Sequence, residues 1–429
     1  MQKTRMDKVY YSLYDRMLSY KNLDKAFKRV KAAKGAAGID GQTIKAFDSS
    51  RQENLTMLVH ELKTNQYRPQ PVKRVEIPKP GGGIRKLGIP TVRDRVVQQA
   101  LRGILEPIFD PGFHPSSYGY RPGRSCHHAI SKAQMFIRKY ELKWVVDMDL
   151  SKCFDTLDHE TIIRSIRKRV TDGSILNLVR MFLTSGVMED NTWQASTEGS
   201  PQGGVISPLI ANIYIDAFDQ FMKARGHRIV RYADDILILK RTRKAAENVR
   251  DQATKYLEGT LKLTVNQEKT HIAHSCRGIK FLGVTIHTGF TRIQEKKVKG
   301  LKDRVRGITR RNSPVNLETV IKDLNPVCRG FANYFRIANC NQVFEGLSLW
   351  IRRRLRAKQL TLWKKPGRLH RRLRQLGYKG EFKSIKMNSW RNSASPLAHY
   401  SLPNKYFESL GLFDLKAVQT GISVISIER

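Results

Sequence analysis

The chain carries 78 Lys and Arg against 38 Asp and Glu over 429 residues, a formal net charge of +40, and a folded protein that basic repels itself unless a polyanion neutralises it. Its five cysteines, Cys126, Cys153, Cys276, Cys328 and Cys340, are scattered without a C-x-x-C pair, which speaks against a disulfide framework and a cysteine zinc site. No apolar run approaches the ~20 residues that span a bilayer and no secretory signal opens the chain, so no membrane is expected and a reducing cytoplasm is the expected compartment.

At this length two or three domains are expected. Residues 1–60 read as helical, with Tyr10, Tyr11, Leu13, Tyr14, Met17 and Leu18 as an apolar stripe, followed by a glycine-rich loop from Gly35 to Gly41. Mixed α/β material runs from 61 to 290. Within it, Ile77 to Pro90 holds a Gly81-Gly82-Gly83 turn with Lys79 and Arg85 on either side. Trp144-Val145-Val146-Asp147-Met148-Asp149-Leu150 then alternates apolar and acidic positions, and strand geometry sets Asp147 and Asp149 on one face. Glu198 to Leu209 is a glycine-rich loop opening an apolar run. Glycine lets the backbone approach a ligand closely, and Gln202 is able to hydrogen-bond a base pair or sugar. An ordinary loop before a core helix fits the same glycines.

Tyr232-Ala233-Asp234-Asp235, with Val230 before it and Ile236 to Leu239 after it, reads as strand, tight turn, strand with an acidic pair at the tip. A buried acid pair repels itself, and a divalent cation makes it tolerable. Alone, the tetrapeptide fits a solvated Asp-Asp turn equally well. The second acidic strand changes that balance. Two such strands meeting at one sheet edge offer oxygen ligands for two Mg2+ ions about 3.5–4 Å apart, the arrangement of in-line phosphoryl transfer.

Beyond residue 296 the pattern turns helical, with Arg310 to Pro314 breaking the first helix. No acidic residue occurs from Gly346 to Gly380. In that stretch Arg352, Arg353, Arg354, Arg356, Lys358, Lys364, Lys365, Arg371 and Arg372 interleave with Trp350, Leu355, Leu360, Trp363 and Leu369. This reads as an apolar stripe backed by a cationic face suited to phosphate backbones, with a membrane-surface helix as the rival. The tail from Leu376 is rich in Ser, Asn and Gly and carries little signal.

Asp147-Met148-Asp149-Leu150 with Phe154, Ser200-Pro201-Gln202-Gly203-Gly204 with Ser207-Pro208, and Tyr232-Ala233-Asp234-Asp235 resemble motifs A, B and C of reverse transcriptases, and more narrowly those of bacterial group II intron-encoded proteins. Ile77 to Pro90 resembles that family's fingers motif, Ser117 to Ser125 the block before motif A, Leu263 to Thr270 motif D, Phe281-Leu282-Gly283 the primer grip, and Arg329 to Phe335 the maturase signature. The resemblance covers roughly residues 20 to 410. It implies an α+β right-hand polymerase, with fingers and a ferredoxin-like palm sheet, followed by an all-α thumb or maturase domain. The implied layout is an RNA-binding extension at 1–60, fingers and palm at 61–290, a thumb or maturase domain at 291–375 and a DNA-binding region at 376–429. The type without an endonuclease is expected.

By the same resemblance Asp149, Asp234 and Asp235 are catalytic carboxylates holding two Mg2+ ions. Asp149 is preferred over Asp147 because Phe154 follows it at the family's spacing. Phe154 would lie under the sugar of the incoming nucleotide and clash with a 2′-hydroxyl, selecting dNTP. Lys79 and Arg85 suit a hairpin closing two cations on the triphosphate, Arg as a fork of donors and Lys as a point charge. Gln202 would touch the nucleotide, and Lys269 would donate a proton to departing pyrophosphate. The implied partners are a group II intron RNA, an RNA template, a DNA primer or target, and dNTPs. The implied activity is RNA-directed DNA synthesis with splicing assistance and target-primed intron insertion. A domesticated relative in phage defence or DNA repair, and a splicing factor without polymerase activity, remain open at this point.

Overall fold

The computed structural model describes residues 8–78, 82–189, 192–194, 199 and 203–422. They divide into two compact units, Met1–His274 and Ser275–Arg429. In the first unit, helices Tyr20–Ala33 and Arg51–Lys63 pack together and on the long helix Val92–Phe109, with Ile44–Ser49 beside them. Ser19 caps the first of these by accepting from the Asn22 N–H, and the Phe27 and Phe47 rings stack with centroids 5.0 Å apart. The expected stripe from Tyr10 is not one helix. Tyr10 pairs as an isolated parallel bridge with Val170, and the helix begins at Tyr14. The Asp172 carboxylate takes the N–H groups of Leu13 and Tyr14, fixing that start, and leaves Tyr11 81% exposed.

Two four-stranded sheets follow. β1 (Val72–Pro78) and β2 (Ile84–Ile89) form an antiparallel hairpin, and β4 (Val187–Glu189) joins β1 in parallel and carries β5 (Thr192–Gln194) at its outer edge. The central sheet has order β6-β7-β3-β8, formed by Arg228–Tyr232, Asp235–Lys240, Trp144–Met148 and His271–His274, with every pair antiparallel. Val146, Met148, Ile229, Ile236 and Ile238 face the main core with helices Ser207–Ala224 and Arg243–Gly259. Val145, Val230, Leu237 and Leu239 alternate to the other face and are also buried. A strand buried on both faces reads as an unbroken apolar run, which is why Ile236 to Leu239 has no polar alternation.

The second unit opens with a three-stranded antiparallel sheet of order β11-β10-β9 (Thr291–Ile293, Val284–Ile286, Ile279–Phe281). Helices Glu295–Ile308, Leu317–Phe335, Asn341–Trp363 and Pro366–Gln375 follow, then two short helices, Pro396–Ser401 and Asn404–Ser409. The expected break at Arg310 to Pro314 falls between the first two. No helix among the described residues is long and apolar enough to cross a membrane.

Helix Asn341–Trp363 corrects the expectation of one continuous cationic face. It is packed on several sides by its neighbours, and Arg352, Arg356 and Lys358 are buried. Arg352 pairs with Asp414 at 3.0 Å and reaches Glu408 at 3.4 Å. Arg356 donates to the Leu402 carbonyl (2.9 Å) and the Asn404 side chain (2.8 Å), and Lys358 Nζ to the carbonyls of Arg310 (3.1 Å) and Ser313 (2.9 Å). Desolvation of such cations is tolerated only with partners of this kind. Their heads hold the unit together and do not reach solvent. Lys364, Lys365 and Arg371 are exposed, Arg372 is half-buried, and Arg353 and Arg354 are half-buried against the ring of Trp390.

Candidate active site

The acidic tip is built by the register of the central sheet. Tyr232 pairs with Asp235 at the end of the β6–β7 ladder, leaving Ala233 and Asp234 as the turn, with Ala233 at φ 58°. The β3–β7 ladder runs from Trp144 opposite Lys240 to Met148 opposite Ile236. The ladder ends there, so Asp149, the next residue after β3, and Asp235, the first of β7, fall at the same end of the sheet. Asp147, opposite Leu237, lies on the same face two residues back. Four carboxylates from two distant segments therefore meet at one end of one sheet.

Their electrostatics follow from that crowding. Burial, with added repulsion from Asp234, Asp147 and Asp149, lifts Asp235 to about 7. Burial likewise lifts Asp147 to about 6, with Asp149 adding to the rise and His271, 4.0 Å away, opposing it. Lys269 Nζ lies 3.2 Å from Asp149 Oδ2, and the motif D loop is tied to the same residue, Asn266 N–H donating to the Asp149 carbonyl at 2.9 Å. Buried Cys153, close by, has its thiol pushed up to about 12, chiefly by desolvation.

These donors fit a hard divalent cation. They are oxygens only, and their mutual repulsion is what such an ion relieves. Among the described residues no group of three or more His, Cys, Asp or Glu stands arranged to hold a metal ion. A hard divalent cation can keep part of its shell as water or substrate phosphate, for which an open carboxylate edge leaves room.

Behind the turn lies a support that the sequence did not announce. Arg231 and Asp219 are both fully buried, joined by contacts of 3.0, 2.8 and 2.6 Å. Arg231 Nη1 also donates to Asn212 Oδ1 (3.0 Å) and to the Ala233 carbonyl (2.9 Å), while Asn212 Nδ2 donates to the Gly119 carbonyl (2.8 Å). Gly119 lies flat on the turn: a Cβ there would sit 2.3 Å from the Ala233 nitrogen. The available signal was period two, which sets Arg231 on the core face with Ile229, where a guanidinium requires a buried carboxylate.

The remaining expected residues divide as follows. Phe154, in the turn Cys153–Asp155, is half-buried against the core, and its ring meets Tyr120 edge-on, centroids 6.4 Å apart. Gly199 rests on this turn, where a Cβ would be 2.6 Å from the Asp155 carbonyl oxygen, and Gly203 rests on the Gly88 carbonyl of β2. The glycines of the motif B loop thus serve close backbone approach. Arg85, exposed on β2, pairs across the hairpin with Ile77. Lys79 and Gln202 lie outside the described residues. The cations from Arg352 to Arg372 lie in the second unit.

The family described as reverse transcriptase (RNA-dependent DNA polymerase) matches residues 77–286, and the group II intron, maturase-specific domain matches residues 298–377. The chain is 36% identical over 306 residues to Protein YkfC of Escherichia coli, covering 62% of this chain and 80% of that one. It is 28% identical over 440 residues to the group II intron-encoded protein LtrA of Lactococcus lactis, covering 79% and 72%. Among solved structures, apo telomerase from Candida tropicalis aligns at 13% identity and a TM-score of 0.43, covering 66% of this chain and 62% of that one.

Proposed function

This chain belongs to the family of reverse transcriptases that carry a group II intron maturase domain, and from that membership we propose how its own residues divide the reaction. The chain is an RNA-directed DNA polymerase with a maturase's role in splicing. Asp149, Asp234 and Asp235 hold two Mg2+ ions, which when bound lower the pKa of the primer 3′-hydroxyl and neutralise the leaving pyrophosphate. What supports this reading is the ladder register, which ends at Met148 opposite Ile236 and so brings Asp149 and Asp235 to one end of the sheet, with Asp234 in the adjoining turn.

Around that edge each side chain has one task. Arg85, with Lys79, grips the triphosphate from the β1–β2 hairpin, and Gln202 contacts the nucleotide from the glycine loop. Lys269 holds a proton at Nζ, close enough to Asp149 to meet the departing pyrophosphate. Asp147 remains a polar neighbour. The intron RNA, an RNA template and a DNA primer at the target site are the macromolecular substrates, and target-primed synthesis is the route to intron mobility. Primer extension on an RNA template with dNTPs, run with Mg2+ and with chelator, tests the reading. Extension only with the cation supports it, and extension unaffected by chelation overturns it.

Phe154 closes the floor of the sugar pocket. Phe154→Ala is expected to raise ribonucleotide incorporation relative to dNTP by about 10- to 100-fold, the range that one pocket contact discriminates. Competition between dNTP and rNTP in single-nucleotide extension checks this, and an unchanged ratio removes Phe154 from the gate.

RNA contact by the second unit falls to its exposed cations. Replacing the exposed Lys364, Lys365 and Arg371 with Glu is expected to weaken RNA binding. It should also flatten the slope of log K against log salt by about 0.7 for each lost single-strand contact. Filter binding across a salt series reads both quantities. Arg356→Glu, by contrast, is expected to unfold the helical unit, because its guanidinium is buried against Leu402 and Asn404.

A further inference from the structure

Tyr120 is an exposed aromatic in a place where the backbone is otherwise pinned. On its N-terminal side, Ser117 bridges to Arg231, Tyr118 N–H donates to the Arg231 carbonyl (2.9 Å), and Gly119 lies on Ala233. On its C-terminal side, buried Arg121 pairs with Asp110 at 2.7 Å and donates to the His114 and Ser117 carbonyls at 3.0 and 2.9 Å. Between these anchors Tyr120 adopts φ 58°, a left-handed conformation that a residue with a Cβ rarely takes, and its side chain remains 49% exposed. Strained backbone held in place on both sides is a mark of positions that serve a site.

The ring's surroundings say what it serves. It stands at 80° to the Phe154 ring, edge to face. Burial, then Asp234, raises its hydroxyl's pKa, with Asp235 adding to the rise and Arg85 of the β2 strand opposing it. Tyr120 is thus within electrostatic reach of the carboxylates on one side and of the hairpin cation on the other. That interval is where a nucleotide must lie if its phosphates meet both.

We propose that Tyr120 contacts the incoming nucleotide and that the Tyr120 and Phe154 rings together form two walls of its sugar pocket. This rests on the assignment of Asp149, Asp234 and Asp235 as the polymerase centre. A ring wall contributes to nucleotide binding and leaves the primer–template untouched, and the hydroxyl is not required.

The test is single-nucleotide extension by the full chain with primer–template saturating, for wild type, Tyr120→Ala and Tyr120→Phe. It is paired with dNTP titration of the complex on a dideoxy-terminated primer, which reads binding without turnover. Tyr120→Ala is expected to raise the KM and Kd for dNTP by roughly tenfold, the worth of one good aromatic contact, with kcat and primer–template affinity near wild type. Tyr120→Phe is expected to behave as wild type. An unchanged dNTP Kd in Tyr120→Ala overturns the proposal, as does a matching loss in primer–template affinity. A loss in Tyr120→Phe equal to that in the alanine variant assigns the contact to the hydroxyl and overturns the ring wall. A wild type that cannot extend at all overturns the polymerase centre instead, so the two failures are distinguishable.

Discussion

Asp234→Ala is expected to abolish primer extension on an RNA template while RNA affinity stays within about twofold of wild type, the exposed second-unit cations proposed to bind phosphate being unaltered. The carboxylate sits at the tip of the β6–β7 turn, beside Asp235. Losing one metal oxygen removes several kcal/mol of transition-state charge stabilisation, and each ~1.4 kcal/mol is tenfold in rate, so a loss of about a thousandfold or more is expected. The side chain is not needed to hold the turn, because Ala233's carbonyl is already tied by Arg231. Measured extension rates and RNA filter binding on the same preparation decide the matter. Residual synthesis within tenfold of wild type would remove Asp234 from the metal set.

Arg231→Met lowers both stability and synthesis, for separable reasons. Removing the guanidinium strands Asp219 as an unpaired charge with no exposure, a change that costs about 3–5 kcal/mol. The companion Asp219→Leu in the same chain removes the stranded charge, and such apolar replacement of a buried pair is often near neutral. The double variant is therefore expected to recover most of the denaturation midpoint. It cannot recover the bond from Arg231 Nη1 to the Ala233 carbonyl, so the turn that carries Asp234 loses its backing and extension stays depressed. Urea denaturation beside kcat separates the two effects. A double variant with full activity would show that the pair only stabilises the fold. A single variant with an unchanged midpoint would show that it does not even do that.

Much of the site was legible in the chain because its chemistry is local in sequence. The alternation through Asp147 and Asp149, the turn at Asp234, and the apolar run from Ile236 are each written within a few residues, and strand periodicity converts them directly into facing positions. The helix break at Arg310 to Pro314 was legible for the same reason. The basic stretch of the second unit was not. Charge and helical period are readable from Arg352 to Arg374, but which cations face solvent depends on how many neighbours pack on helix Asn341–Trp363, and Arg352, Arg356 and Lys358 turn inward to carbonyls and carboxylates far away in sequence.

The sequence by itself determined which carboxylates are present, the order of the segments that carry them and the strongly positive net charge, since these are properties of residue type, spacing and composition. Only the tertiary structure decided that Asp149 and Asp235 share one end of the sheet, that Arg231 and Asp219 pair in complete burial beneath the turn, and that Tyr120 stands edge-on to Phe154. The physical reason is that register, burial and ring geometry are set by contacts between segments distant in the chain, and each depends on which partner the fold brings to it.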